Sequence, residues 1–172
     1  PLTVVSFEED LTGIALSLEN KNLIPHVGLF GKQVEQVLQQ TRYENPVRVQ
    51  IPIQEFDKEA VPSAVTWVVY QGDFRAHAAH APKPDIVFFD FYSPKVTPQL
   101  WTPEIFKLIF ERAETPCTLY TYSAATKNRL AMFAAGFYVG FGRSTGAKIH
   151  TTVASNSIEQ LESPFAAEFL EK

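Results

Sequence analysis

The first half of the chain shows a short strand, a helical region and two further strands in its pattern of apolar and polar positions. The opening segment 2–7 is mostly apolar and leads into three consecutive acids, which predicts a short buried strand. Apolar residues at helical spacing within 13–40 predict two helical pieces broken around Pro25. Segments 47–53 and 65–70 alternate apolar and polar side chains, which predicts two extended strands joined by a loop.

The second half of the chain has a different pattern, in which strands are more uniformly apolar and helices separate them. Segment 85–91 is nearly continuous in apolar content, which predicts a strand buried on both faces of a parallel sheet. Thr102 followed by Pro103 predicts the start of a helix that continues to about Ala113. The other predicted elements are a buried strand at 117–122, a helix ending at Gly136, strands at 137–142 and 148–154 joined by a turn at 144–146, and an amphipathic helix at about 157–171.

This order of elements predicts an α/β fold with a mostly parallel sheet and helices on both of its faces. Strand and helix alternate through the centre of the chain, and crossovers between parallel strands are right-handed. The strands at 137–142 and 148–154 are too close for a helical crossover, so we expect an antiparallel hairpin there. The sequence has 172 residues and no long linker or repeat, which predicts a single domain over 1–172.

Composition narrows the class of protein. Hydrophobic residues make up 45% and charged residues 20%, as in ordinary globular proteins. The single cysteine, Cys117, excludes an internal disulfide and a multi-cysteine zinc site, and it favours a reducing, cytoplasmic compartment. The apolar stretches are interrupted well before the roughly 18 residues of a membrane span, so we expect no membrane partner.

The charge pattern leaves two interpretations open. A formal net charge of −4 argues against a protein that coats nucleic acid non-specifically. However, no acidic residue lies between Glu114 and Glu159, and we call this segment the basic window. Its bases include Lys127, Arg129, Arg143 and Lys148. The window is either a chance run of solvated bases or a face that binds an anionic ligand.

Candidate binding residues are acids at the ends of predicted strands, because ligands of open α/β sheets bind beyond the carboxyl ends of the strands. Glu8 ends the first strand and either accepts hydrogen bonds from ribose hydroxyls or only marks an exposed strand end. Asp73 follows Gly72 after the third strand and either binds an adenine amino group or belongs to a common Gly-Asp turn. Asp85 opens its strand, where we expect it only to end a loop.

Asp90 is the most informative of these acids. It follows a run of four apolar residues, and a carboxylate in that position either has a partner or has a function. The stretch 91–101 after it is rich in aromatic residues and proline, which is typical of a stiff loop that walls a pocket. Tyr92 or Trp101 would stack on a flat ligand there, although packing of Trp101 into the core is an equal alternative.

Other chemistries have little support. His77 and His80 form the one close histidine pair and have no acidic or cysteine ligand beside them, which disfavours a metal site. Serine-nucleophile elbows and phosphate-binding P-loops are absent from the sequence. Gly140-Phe141-Gly142 lies in a predicted strand with no helix after it, so it should not bind a dinucleotide.

Several motifs resemble one known family. The most specific is Phe89-Asp90-Phe91-Tyr92-Ser93-Pro94-Lys95 with Pro98 and Trp101, which is similar to that family's Leu-Asp-Gly-Phe-Ala-Pro-x-Lys-Asn-Pro-x-x-Trp. Supporting matches are Ser6-Phe7-Glu8, Gly72-Asp73, 119–124, Ala135-Gly136-Phe137, and Gly140-Phe141-Gly142 with Lys148. Over about 2–154 the chain thus resembles the MnmC-like methyltransferases, which use S-adenosyl-L-methionine to methylate 5-aminomethyl-(2-thio)uridine at the tRNA wobble position.

The resemblance implies a Rossmann-like class I methyltransferase fold with a terminal hairpin, and it implies roles for individual residues. Glu8 would bind the cofactor ribose, Gly72 and Asp73 would lie near the adenine, and Asp90 would sit at the methyl-transfer centre, touching cofactor and substrate. The residues implied in binding the tRNA anticodon stem-loop are Tyr92, Pro94, Lys95, Trp101, Arg143 and Lys148.

The chain departs from the family pattern in two places. The glycine-rich loop and its strand are expected before Leu2, so we expect either a fragment of a longer protein or a degenerate copy that binds cofactor poorly. Phe91 replaces the glycine after the central Asp, which is expected to narrow the pocket. The alternatives are a non-catalytic binding domain of methyltransferase fold and, less favoured, a nicotinamide-dependent oxidoreductase. No FAD role is implied, although some relatives continue into an oxidase domain.

Overall fold

The computed structural model describes residues 1–51, 64–143 and 150–165. Its contacts divide the chain into two units, Pro1–Ala81 and Pro82–Lys172. Within the described ranges, every helix is too short or too polar to cross a bilayer.

The first unit contains a small mixed sheet. Its elements in chain order are β1 (Leu2–Glu8), α1 (Thr12–Glu19), α2 (Pro25–Leu29), α3 (Gly31–Gln40), β2 (Val47–Ile51), β3 (Val65–Gln71) and α4 (Phe74–His77), followed by a 3-10 turn at Ala78–His80. The strand order is β1-β3-β2. β1 is parallel to β3 over its whole length, from Leu2 opposite Val65 to Glu8 opposite Gln71, and β2 is antiparallel to β3.

Alternation in the sequence explains the core of this unit. In β2, Val47 and Val49 are buried while Arg48 and Gln50 are exposed, as the pleat of a half-buried strand requires. Val37 of α3 packs against these two valines and Val69 of β3. The helical region has three helices instead of the predicted two, because Pro25 begins a short helix of its own before α3 starts at Gly31.

The second unit contains a four-stranded sheet. Its elements are β4 (Ile86–Phe88), a 3-10 turn at Pro98–Leu100, α5 (Pro103–Arg112), β5 (Thr118–Thr121), α6 (Thr126–Ala134), β6 (Tyr138–Gly142), β7 (Thr151–Ser155) and a 3-10 turn at Ile158–Gln160. The strand order is β4-β5-β7-β6, with β4 parallel to β5 and the other two pairs antiparallel. The predicted hairpin of the last two strands is therefore confirmed.

The aromatic core of the second unit lies against one face of this sheet. Phe89, Phe106, Phe137, Leu119 and Met132 are its largest fully buried side chains. Pro103 occupies the first turn of α5, as its sequence position predicts. Gly136 follows the last turn of α6 and has a φ of +106°, and a Cβ there would lie 3.2 Å from the Phe110 ring. The predicted end of this helix therefore depends on glycine.

The prediction of a mostly parallel sheet is wrong in the described residues, where both sheets are mixed and two of the five strand pairs are parallel. The prediction that segment 85–91 is buried on both faces is also wrong. Its β strand covers only Ile86–Phe88, and Ile86 and Phe88 are 56% and 79% exposed. The physical reason is that Ile86 and Phe88 lie on the same face of β4, and that face is open to solvent in the described residues.

The predicted terminal helix does not begin where the amphipathic pattern placed it. Residues 158–160 form a 3-10 turn, and the chain then extends along β6, with Phe141 N donating to Ser163 O and Phe165 N donating to Val139 O. Gly140 permits this approach, because a Cβ there would lie 2.4 Å from Ser163 O. Residues 166–172, the turn at 144–146 and the first two residues of the strand predicted at 148–154 lie outside the described residues.

Candidate cofactor and substrate sites

The carboxyl ends of β1 and β3 bring Glu8 and the Gly72-Asp73 turn together. The parallel register places Glu8 opposite Gln71, and Gly72 N donates a hydrogen bond to Glu8 O at 2.9 Å. The Glu8 side chain is partly buried, and desolvation raises the pKa of its carboxyl. Among the described residues it has no hydrogen-bond or ion-pair partner, so both oxygens remain available to accept hydrogen bonds from a ligand.

Gly72 has a conformation that only glycine adopts readily. Its φ is +126°, and a Cβ at this position would lie 2.8 Å from Nε2 of His77. The rings of Phe7 and Tyr70 stack beside this turn at 5.4 Å, and Tyr70 also faces the His77 ring at 5.6 Å. A tight glycine turn therefore follows β3 directly beside an aromatic surface.

Asp73 is already engaged in local contacts. Its Oδ1 accepts a hydrogen bond from Arg75 N at 2.8 Å, which caps α4, and its carboxylate also accepts from the Arg75 guanidinium. The hydrogen bond from the Arg75 side chain is the main reason that the pKa of Asp73 lies below its usual value. The sequence analysis left a simple turn open for this residue and did not identify Arg75 as its partner.

Asp90 lies at the end of β4 in the second unit. The strand ends at Phe88, Phe89 N donates to Tyr120 O at 2.8 Å, and Asp90 follows as an exposed residue. Asp90 lines a cavity of about 670 Å³. Within the described part of the chain its carboxylate has no hydrogen-bond or ion-pair partner, so this acid is free to bind a ligand.

The cavity is aromatic on its strand face and polar at its rim. Its residues are Phe88, Asp90, Tyr120, Thr121, Tyr122, Phe141, Gly142, Arg143, Thr151, Val153, Gln160 and Glu162. Phe88 and Tyr120 lie opposite each other in the register of β4 and β5, and their rings stack at 5.8 Å with an interplanar angle of 26°. Such a surface suits a flat ligand with a polar edge. Sequence analysis missed these rings because it treated both strands as buried.

The loop after Asp90 is held by its own hydrogen bonds. Tyr92 O accepts from Thr97 Oγ1 and from Trp101 Nε1, both at 2.9 Å. Trp101 is 5% exposed and meets the Phe89 ring edge-on at 5.0 Å and 88°. The assignment of Trp101 as a substrate-stacking residue is therefore corrected, because its indole is buried among Phe89 and Phe106 and the packing alternative holds.

The remaining loop candidates are more accessible. The Tyr92 ring is 76% exposed, Lys95 is exposed and Pro94 is partly buried. Phe91, which replaces the family glycine, packs edge-on against the buried Phe89 ring at 5.0 Å and 76°. The expected narrowing of the pocket by Phe91 is thus not seen at the cavity described above, whose lining excludes that side chain.

The basic window does not form one uniform cationic surface. Arg143 pairs with Glu162 at 2.6 Å, and that hydrogen bond raises the pKa of the guanidinium and lowers the pKa of the carboxyl. Arg129 is 6% exposed, so it is neither a solvated base nor part of a surface that could bind an anionic ligand. Lys127 is exposed, and Lys148 lies outside the described residues.

The described residues contain no group of three or more His, Cys, Asp or Glu side chains that could hold a metal ion. The two units instead offer acceptor carboxylates and aromatic surfaces at the carboxyl ends of their strands. Sites of this kind bind nucleosides and other flat ligands with hydroxyl or amine groups.

The fold belongs to the methyltransferase-like α/β class. The chain superposes on the crystal structure of MNMC2 from Aquifex aeolicus with a TM-score of 0.59 and 22% sequence identity, covering 99% of this chain and 58% of that one. A family model described as S-adenosyl-L-methionine-dependent methyltransferase matches residues 32–157. The protein therefore belongs to the S-adenosyl-L-methionine-dependent methyltransferase family.

Two kinds of relative are similar in sequence. One is the tRNA 5-methylaminomethyl-2-thiouridine biosynthesis bifunctional protein MnmC of Hahella chejuensis, 34% identical over 107 residues, which are 62% of this chain and 17% of that protein. Another is an uncharacterised protein of Methanocaldococcus jannaschii, 36% identical over 87 residues, which are 50% of this chain and 24% of that protein. The matched segment thus spans less than a quarter of the length of each relative. The resemblance to the MnmC family that the sequence predicts is confirmed.

Proposed function

We propose that this protein transfers a methyl group from S-adenosyl-L-methionine to the aminomethyl group of a tRNA wobble uridine, and that both units belong to one methyltransferase domain. The observation that carries the proposal is the free Asp90 carboxylate at the end of β4, on an aromatic cavity of about 670 Å³. The family match supports the cofactor, and it extends from the first unit into the second. The names of the MnmC relatives support tRNA as the substrate.

Glu8 and the Gly72-Asp73 turn are the residues that would hold the cofactor. The partly buried Glu8 carboxylate has no protein partner among the described residues and fits a pair of ribose hydroxyls, each of which would donate a hydrogen bond to it. The partly buried Phe7 ring, which stacks on the buried Tyr70 ring beside Gly72, would pack against an adenine in the same unit. Asp73 would accept a hydrogen bond from the adenine amino group in addition to its contacts with Arg75, because a carboxylate has about four acceptor positions. We assign no residue of this chain to the methionine part of the cofactor.

The role of Asp90 follows from the chemistry of the acceptor. The bound cofactor supplies an electrophilic methyl group on a sulfonium. An amine attacks only through its free lone pair, so the site must hold the neutral amine in line with the carbon-sulfur bond. Asp90 would accept a hydrogen bond from one amine N–H and thereby direct the lone pair away from itself. Alignment of this kind is the main contribution that the protein makes to such a displacement.

The cavity would receive the uracil ring. Phe88 and Tyr120 offer a stacking surface, and the exposed ring of Tyr92 follows Asp90 by two residues. The exposed Lys95 and Lys127, with Arg143 and Lys148, would lie along the anticodon-stem phosphates, which position the tRNA without reading its sequence.

The test is methyl transfer to tRNA that contains 5-aminomethyluridine, using the full-length protein with Asp90→Asn and Asp90→Ala. A hydrogen bond to a charged group contributes about 1.5–3 kcal/mol, so we expect kcat to fall by about 10- to 100-fold in both variants. Calorimetric affinity for S-adenosyl-L-methionine should change little. Asp85→Asn, at the opposite end of β4, is the matched control and should retain wild-type turnover.

Two results would overturn the proposal. Normal turnover of Asp90→Ala would remove the role of this carboxylate. Absence of any calorimetric signal when the full-length wild type is titrated with S-adenosyl-L-methionine would favour the alternative of a non-catalytic binding domain.

A further inference from the structure

Arg129 in α6 is a buried cation that has no acidic partner among the described residues. The residue is 6% exposed, and desolvation lowers the pKa of its guanidinium. Its Nε donates to Thr152 Oγ1 at 2.9 Å and its Nη2 donates to Thr151 O at 3.3 Å. In the described part of the chain, no carboxylate forms an ion pair with it. Burial of an arginine in this way is costly, so the contacts that retain it require an explanation.

Two phenyl rings complete the surroundings of this guanidinium. Its Cζ lies 5.3 Å from the centroid of the Phe141 ring and 4.9 Å from that of Phe165. The same two rings meet edge-on at 4.5 Å and 86°. A cation near two ring faces is attracted by both, and this attraction increases when water is excluded. Arg129 therefore fixes where the Phe141 ring lies.

A buried polar network joins Arg129 to the end of β5. Thr152 Oγ1 accepts from Arg129 and donates to Ser123 O at 2.6 Å, and Ser123 Oγ accepts from Asn128 Nδ2 at 2.7 Å. The network thus ties α6 to β7 and to the residue that follows Tyr122. Because Nε and Nη2 of Arg129, the Thr152 hydroxyl and the Asn128 amide each have a defined acceptor, the network favours one arrangement of these elements.

The groups that Arg129 holds are walls of the substrate cavity. Phe141 and Thr151 line the cavity together with Tyr122, whereas Arg129 itself does not. A buried apolar side chain would stabilise this region at least as well as an unpaired arginine. The position of the arginine is therefore better explained by the wall that it orients than by stability alone.

We infer that Arg129 is a positioning residue, which holds Phe141 and the Thr151 end of β7 so that the cavity fits the base of the proposed tRNA substrate. The inference rests on the proposed function for the identity of the ligand. It assigns Arg129 an effect on nucleoside affinity that is transmitted through Phe141. Arg129 makes no contact with the ligand or the cofactor in this scheme.

The test measures binding of free 5-aminomethyluridine by calorimetry, and the KM for modified tRNA, in Arg129→Lys, Arg129→Met and Phe141→Leu. We expect nucleoside affinity to fall by about 5- to 20-fold in Arg129→Met, with a smaller loss in Arg129→Lys, which keeps the charge but loses the planar fork. The kcat and the affinity for S-adenosyl-L-methionine should stay within about twofold of wild type. Leu130→Met, at an exposed position on the same helix, should bind the nucleoside as wild type does.

A double variant separates positioning from simple destabilisation. If Arg129 acts through Phe141, adding Arg129→Lys to Phe141→Leu should produce little further loss of nucleoside affinity. Equal losses in both backgrounds, or wild-type affinity in the folded Arg129→Lys variant, would overturn the inference. Wild-type protein that binds the nucleoside but transfers no methyl group would refute the proposed function alone, since the binding comparison still tests Arg129.

Discussion

Replacing Trp101 by phenylalanine tests whether this residue holds the loop or stacks on substrate. The indole Nε1 donates to Tyr92 O at 2.9 Å, and the ring packs edge-on against Phe89 in the core. Phenylalanine keeps an aromatic ring but loses the N–H and part of the volume. The carbonyl of Tyr92 retains its second donor, Thr97 Oγ1, so it is not left unpaired.

The expected cost of Trp101→Phe comes from two terms. A neutral hydrogen bond contributes about 1 kcal/mol to stability. The smaller ring leaves a gap at a site that is 5% exposed, which costs about 1 kcal/mol more. We therefore expect the free energy of unfolding to fall by about 2 kcal/mol. Thr97→Val, which removes only the other hydrogen bond to the same carbonyl, should cost about 1 kcal/mol.

Urea unfolding followed by far-UV circular dichroism, which does not depend on the tryptophan signal, measures these differences in the free energy of unfolding. Calorimetric titration with the nucleoside measures binding in the same variants. Tyr92→Ala is the control with the opposite profile, since its ring is 76% exposed. It should change stability by less than about 0.5 kcal/mol and weaken nucleoside binding. If Trp101→Phe leaves stability unchanged but weakens nucleoside binding, Trp101 contacts the ligand and the packing explanation fails.

Two further predictions concern single backbone and side-chain positions. Gly72→Ala should lower the free energy of unfolding by about 2 kcal/mol, because φ is +126° and the new Cβ would clash with His77. Gly13→Ala, in the open first turn of α1, should raise the free energy of unfolding by about 0.5 kcal/mol. Equal urea midpoints for the two variants would contradict this prediction. Burial raises the pKa of the Cys117 thiol from 9.0 to about 11, so the protonated thiol stabilises the folded state fully below pH 9. This contribution, about 3 kcal/mol at about 1.4 kcal/mol per pKa unit, should be lost as the pH rises from 9 to about 11. Cys117→Ala should show a shallower fall of stability with pH in that range, and parallel pH profiles for the two proteins would refute the assignment.

Much of the fold follows from periodicity, and the exceptions have physical causes. The alternation of β2 and the spacing of the last two strands predict observed elements because each depends on local pattern. The exposure of Phe88 does not follow from its sequence, since it depends on whether another element covers that face of β4. The burial of Arg129 cannot be predicted from the sequence either, because a count of basic residues treats every cation as solvated. Contacts that decide these cases join residues far apart in the chain.

The candidate substrate site depends on strand register as well as on residues that the sequence alone identifies. Asp90 follows the last residue of β4, Phe88, by two positions, and both residues line the same cavity. Once Phe88 is paired with Tyr120, and Tyr120 with Val153, the register places the aromatic rings of two strands beside the acid that follows β4. The sequence supplied the acid and its loop, whereas the aromatic surface required the pairing partners. Tyr120, whose ring belongs to this aromatic surface, and Phe141, which lines the same cavity, are the positions where substitutions should alter substrate binding without affecting Asp90. A sequence motif centred on Asp90 alone would not have indicated them.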